Sequence, residues 1–188
     1  MGVGMGRREE LADAGVRLVA RSGIRALTHR AVDVEAGVPA GSTSYYARSR
    51  RELTGLIVAR ITEQLEEDLR GLDVPPVLDD AAAVSVARAM LDRLAARADA
   101  QAVRLALLSE LRDDPDLRAP LTSAAPVRAA LVDTATGILR AIGVRDPATH
   151  AVDLVGLVDA LLLYDVADAA PLDATRVLTA YLAGLPRR

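Results

Sequence analysis

The sequence predicts an all-α protein: an N-terminal three-helix head on a larger C-terminal helical bundle, about nine helices in all. Ala and Leu, strong helix formers, are abundant, and runs of alternating β-branched residues are missing. Apolar residues recur at three- and four-residue spacing, and helix starts and stops are marked by Ser, Thr, Asp, Gly and Pro. No segment reads as a strand, and there is no internal repeat.

The first helix is expected over residues 7–21, where Leu11, Gly15, Leu18 and Val19 share one face and Arg17 and Arg21 lie opposite. Gly23 supplies its stop. A short helix comes next: Thr28 is placed to cap it, Val32 and Ala36 give its buried face, and Gly37 ends it. A second short helix is expected from Pro39, which tolerates the missing N–H of a first helical position, to Tyr46. Ser49 and Glu52 then form a Ser-x-x-Glu capping box opening a long helix over residues 49–71. Its apolar stripe is Leu53, Leu56, Ile57, Ile61, Leu65 and Leu69. Pro75 and Pro76 separate it from the remaining helices.

In the rest, Asp79 or Asp80 caps a helix using Val84, Ala87, Met90, Leu91 and Leu94, and another carries Leu105, Leu108 and Leu111. Three prolines between 115 and 126 make that segment irregular or a short broken helix. A helix over 127–142 ends at Gly143, Asp146 and Pro147 start a long one through Asp168, and a last helix covers 172–185.

Several function classes are excluded or disfavoured at once. There is no Cys, so disulfides, thiolate metal sites and a Cys nucleophile are impossible. His29 and His150 belong to no metal-binding spacing, and no nucleophile–base constellation stands out. No catalytic residue, metal or cofactor is therefore expected. The most apolar run, 152–170, contains Asp153, Asp159, Asp165 and Asp168, too many carboxylates for a membrane span. The opening glycine-rich residues lack the apolar core of a secretory signal and read as a disordered tail, which points to a cytoplasmic protein. Charge is unevenly shared: residues 1–60 carry ten Arg against six acids, and the remainder thirteen Arg against twenty acids. A basic head on an acidic body points to a polyanionic partner.

Two short helices joined by a tight Gly-containing turn, inside a three-helix head, describe a helix-turn-helix reader of double-stranded DNA. The stretch "LTHRAVDVEAGVPAGSTSYYARSRREL" resembles the signature of the TetR (tetracycline-repressor-like) family of transcription regulators. The shared elements are a Leu-Thr-x-Arg opening, Ala-Gly-Val before a small-residue turn, a Gly-x-x-Tyr-Tyr/His-type recognition helix, and a Ser-Lys/Arg-x-x-Leu entry to the fourth helix. The resemblance covers about residues 7–65. It implies residues 1–52 as the DNA-binding domain and 53–188 as a ligand-binding and dimerisation domain, with helix 49–71 connecting them.

The resemblance also implies roles. Thr28, His29 and Arg30 lie at or near the phosphate backbone, His29 equally well as a plain exposed helix residue. Pro39, Ala40, Gly41, Ser42, Thr43, Ser44 and Tyr45 form the turn and helix against the DNA; Ala40, Ser42, Thr43 and Tyr45 face base edges or adjacent phosphates. Tyr46 packs its ring into the head, while Arg48 and Arg50 supply positive charge, Arg50 as a phosphate clamp. Three positions depart from the commonest pattern. Ser44 stands where many members have a phosphate-contacting Tyr, Ala47 replaces a usual Phe, and Asp33 stands where many have Ala at the close approach of the two helices.

For the body, the resemblance implies a homodimer on a palindromic operator. The long apolar helix, buried on two sides or else internal to a monomer, would supply Leu154, Val158, Leu161 and Leu162 to the interface. The last helix would supply Leu178, Leu182 and Leu185. The family further implies repression relieved by a small-molecule effector in an aliphatic cavity, with Arg104, Glu110, His150, Asp159 or Tyr164 as polar handles. The rival reading is a helical ligand-binding or dimeric structural protein without DNA binding.

Overall fold

The computed structural model describes residues 6–70, 74–122 and 125–187. The opening tail expected before Gly6 and the end of the 49–71 helix lie outside the described residues. Ten α-helices are described, nine of them five residues or longer. They are α1 (Arg7–Ser22), α2 (His29–Glu35), α3 (Ser42–Tyr46), α4 (Arg50–Leu69), α5 (Asp80–Ala95), α6 (Ala98–Glu110), the single-turn α7 (Pro115–Arg118), α8 (Pro126–Ala141), α9 (Pro147–Val166) and α10 (Ala174–Ala183). The only β feature among the described residues is an isolated bridge between Val144 and Arg187. No helix there is long and apolar enough to cross a membrane.

Packing groups the chain into two compact units: the residues up to Gln64 with Asp99–Ala125, and Leu65–Ala98 with the residues from Pro126 onward. The core of the first is aliphatic and includes Leu11, Leu27, Val32, Leu53, Ile57 and Leu107. Gly15 explains how α1 and α4 come so close, since a Cβ there would lie 2.9 Å from Ile57 Cδ1. Arg60 and Asp13 add a mostly buried ion pair between the same helices (Nε to Oδ1, 2.7 Å), with Gln64 donating to the same carboxylate. The second unit packs α8 on α9 and α5 on both α9 and α10, around Leu91, Leu94, Leu139, Leu154, Leu162 and Leu178.

The helix ends are set locally. The Oγ1 of Thr28 accepts from Ala31 N, Asp79 caps α5 through Ala82 N, and Asp173 caps α10 through Arg176 N. Asp146 departs from its expected capping role: it sits at φ 53, and its side chain makes no cap hydrogen bond. The second short helix also starts later than expected, at Ser42. Gly41 precedes it at φ 92, in the left-handed region, so Pro39 and Ala40 belong to the turn.

Candidate nucleic-acid interface

Helix α2, the turn 36–41 and α3 form the helix-turn-helix element. A helix of five residues has a single turn and is not stable alone, so α2 must hold it. The cap position before α3 is Gly41, which has no side chain to accept the first free N–H groups. Asp33 of α2 does this from outside. Its Oδ2 accepts from Gly41 N at 2.7 Å, and its Oδ1 accepts from Thr43 N at 2.7 Å and Thr43 Oγ1 at 2.5 Å. Burial, the largest influence on Asp33, raises the pKa of its carboxyl. The Thr43 hydroxyl, the Thr43 and Gly41 amides and nearby His29 together outweigh it and hold the group below its ordinary value. Asp33 was legible only as a departure from the family pattern. A carboxylate on the inner face of a short helix, eight residues before a glycine cap, is the signal that could have found it.

The expected contact residues divide by exposure. Tyr45 is 81% exposed, and Ser44 beside it is also exposed. Ser42 is half-buried, with its hydroxyl donating to Pro39 O. Thr43 is fully buried and donates its hydroxyl to Asp33, so it cannot face base edges. Tyr46 is 39% exposed and meets Tyr45 edge to face with ring centroids 5.1 Å apart, rather than sinking into the core as expected. Ala47, where an aromatic was missing, is buried in its place.

Among the basic residues, Arg30 and Arg48 are exposed at the edge of the element. Arg50 is also exposed, but its NH1 and NH2 donate to Leu27 O (3.0 Å) and Ile24 O (2.9 Å), fastening the start of α4 to the entrance of α2. Two of its five N–H donors are thus engaged within the head. Arg51 forms a two-pronged pair with Asp114 at 2.8 and 3.0 Å. The Nε2 of His29 lies 2.8 Å from Ala47 O, a contact neither of its expected roles contains.

In the second unit the expected interface residues are mostly internal. Leu154, Leu161, Leu162, Leu178 and Leu182 are buried within the protomer, while Val158 and Leu185 are half-buried. The outward face of α9 is instead Val152 (57% exposed), Gly156, Ala160 and Leu163 (42% exposed), at positions i, i+4, i+8 and i+11. The polar handles do not form one group. Arg104 is buried in the first unit, where it donates to Gln101 Oε1, and Glu110 is exposed there. His150 is half-buried, its carbonyl accepting from Tyr181 Oη. Asp159 pairs with the buried Arg128 beside a small aliphatic cleft of about 40 Å³ lined by Ala87, Met90, Leu131, Ile138 and Leu154. Tyr164 lines a different cavity of about 150 Å³, with Arg88, Asp92 and Asp165.

Residues 78–188 match the model of a family described as tetracyclin repressor-like, C-terminal domain. The chain belongs to the TetR family. Solved structures share the TetR-family fold over nearly the whole chain. A TetR-family member from Streptomyces coelicolor A3 is 26% identical, with 97% of this chain and 99% of that one covered and a TM-score of 0.69. The multidrug-binding protein EbrR, complexed with ethidium, is 27% identical, with 96% and 99% covered and a TM-score of 0.66. A transcriptional regulator from Rhodococcus sp. Rha1 has a TM-score of 0.73 at 22% identity, with 96% of each chain covered, and shows the same fold. No curated protein matches the sequence significantly.

Proposed function

We propose that this TetR-family chain is a sequence-specific DNA-binding transcription regulator, a repressor that acts as a homodimer on a palindromic operator in the cytoplasm and has no enzymatic activity. The observation that carries the reading is the surface of α3. Ser44 and Tyr45 are exposed beyond a glycine turn, with Arg30 and Arg48 nearby, in a head whose first sixty residues carry ten Arg against six acids. Ser42, Ser44 and Tyr45 meet base edges or adjacent phosphates, and the chain at Pro39, Ala40 and Gly41 approaches the groove edge. Thr28, Arg30 and Arg48 contact phosphates. Arg50 first holds the head together and adds charge with its remaining donors.

Residues 1–52 serve as the DNA-binding domain and 53–188 as the ligand-binding and dimerisation domain. A helix as apolar as α9 needs cover on its outer face, and a second copy supplies it along Val152, Gly156, Ala160 and Leu163. The effector is a small organic molecule. EbrR, 27% identical, binds ethidium, and the cavity beside Asp159 is aliphatic with one ion pair at its edge. At about 40 Å³ that cavity is far smaller than the roughly 300 Å³ a drug-sized ligand needs, so binding requires α5, α8 and α9 to part.

A salt-titrated binding assay against DNA from around the protein's own gene tests the reading. A regulator of this kind binds a preferred palindrome with affinity that falls steeply as salt rises. Undetectable or salt-insensitive binding would favour the rival, a helical ligand-binding or dimeric structural protein without DNA binding.

A further inference from the structure

The five residues of α3 are gripped at both ends by side chains from one face of α2. His29 and Asp33 are four residues apart, one helical turn, and therefore stack on the same side of that helix. Asp33, 3% exposed, accepts from Gly41 N and Thr43 N, the free amides at the start of α3. It also accepts the Thr43 hydroxyl. At the other end His29 Nε2 lies 2.8 Å from the carbonyl of Ala47, the residue that terminates α3. A carbonyl only accepts, so Nε2 carries the proton. The carboxylate thus meets the electropositive start of the helix and the imidazole N–H its electronegative end.

We propose that His29 and Asp33 are positioning residues for DNA recognition: together they clamp α3 and fix the surface that Ser42, Ser44 and Tyr45 present to the groove. This rests on the DNA-binding reading of the head. The arrangement gives the acid at position 33, a departure from the commonest family pattern, a structural task. The acid at position 33 and the hydroxyl at position 43 form a buried polar pair, and Gly41 leaves the cap position empty for the carboxylate to fill from α2. Removing Asp33 leaves three buried or half-buried donors without their acceptor, which is worse for α3 than a missing surface contact.

The clamp makes a prediction of opposite sign to a simple charge argument. If Asp33 were only a negative charge in a DNA-facing head, deleting it would tighten binding to a polyanion. As a positioning residue, its deletion weakens binding.

The test uses the full chain with Asp33→Ala, Thr43→Val and His29→Ala. Amide hydrogen exchange is followed over residues 41–47, and DNA affinity is measured at several salt concentrations. Exchange at 41–47 should quicken in Asp33→Ala while α1 and α9 keep their protection. Affinity for the preferred site should fall at least about tenfold, with the salt slope unchanged because no phosphate contact is lost. His29→Ala and Thr43→Val, which retains the side-chain volume, should move both readouts in the same direction by less. If Asp33→Ala does not fold, the Thr43→Val result decides. Unchanged exchange at 41–47, or DNA binding as tight as or tighter than the parent's, overturns the proposal. A parent protein that binds no DNA, with exchange at 41–47 still rising in Asp33→Ala, would retain the clamp but overturn both its role in recognition and the regulatory reading.

Discussion

Replacing Gly156 by Ala and by Leu distinguishes a free α9 face from one covered by a second copy. Gly156 lies in the middle of α9, faces outward, and a Cβ built on it meets no atom within 4 Å. In an isolated protomer both substitutions should therefore help, because glycine inside a helix is about 1 kcal/mol less favourable than alanine. For a domain of this size that gain raises Tm by about 2–4 °C. Against a partner helix the outcome reverses. The face is flanked by Val152, Ala160 and Leu163, and the missing side chain at 156 is where another backbone can approach most closely. A leucine there overpacks the contact by about 1–3 kcal/mol, and two-fold symmetry imposes it twice. The sum, about 2–6 kcal/mol, raises the dimer Kd at least about thirtyfold. Sedimentation equilibrium reads this directly, with melting curves at several protein concentrations as a second measure. A Gly156→Leu protein that stays as dimeric as the parent and melts higher at every concentration would refute the assignment of this face.

Three further perturbations probe the packing. Gly15→Ala places a methyl 2.9 Å from Ile57 Cδ1 in a fully buried contact and should destabilise the fold by about 1 kcal/mol, the overpacking exceeding the helix-propensity gain. Adding Ile57→Val removes Cδ1, the nearer of the two close Ile57 atoms, and chemical denaturation should show partial recovery in the double variant relative to the sum of the singles. At the second site, Asp159→Ala leaves the nine-tenths-buried Arg128 without its carboxylate and should cost about 3 kcal/mol. Arg128→Met leaves only the partly solvated Asp159 and should cost about 1–2 kcal/mol, so the reverse order would contradict the geometry. For pH, Asp33 has a folded-state pKa below its unfolded value, so its stabilisation is complete above the unfolded carboxyl pKa of about 3.9. It is lost as pH falls through the lower, folded pKa. The difference in unfolding free energy between the parent and Asp33→Asn should hold from neutral pH to about pH 5 and shrink below about pH 4. A difference that grows on acidification would contradict the assignment.

Much of the head was legible because its signals are local. Thr28, four residues ahead of Val32, and the Ser49–Glu52 pair mark helix starts through hydrogen bonds that span only a few residues, and both hydroxyls accept the expected amides. The side chain of Glu52 reaches Arg48 N, one residue ahead of the expected Ser49 amide. Arg50 was harder. Its exposure and charge were foreseeable, but its acceptors lie 23 and 26 residues back along the chain. Thr43 misled for the same reason: a small polar residue in the second position of a recognition helix looks available until the carboxylate ten residues earlier is placed against it.

By itself the sequence determined the all-α class, the order of the helices, the helix-turn-helix element and the family resemblance, because propensity, capping and periodicity act over one or two turns. Only the tertiary structure decided which sides of those helices are free. A helix apolar nearly all round, such as α9, contains no phase in its periodicity, so inward Leu154, Leu161 and Leu162 cannot be told from outward Val152, Gly156 and Leu163 until α8 and α5 are packed on it. The same holds for α3, whose short length leaves its orientation to His29 and Asp33 of the helix beside it.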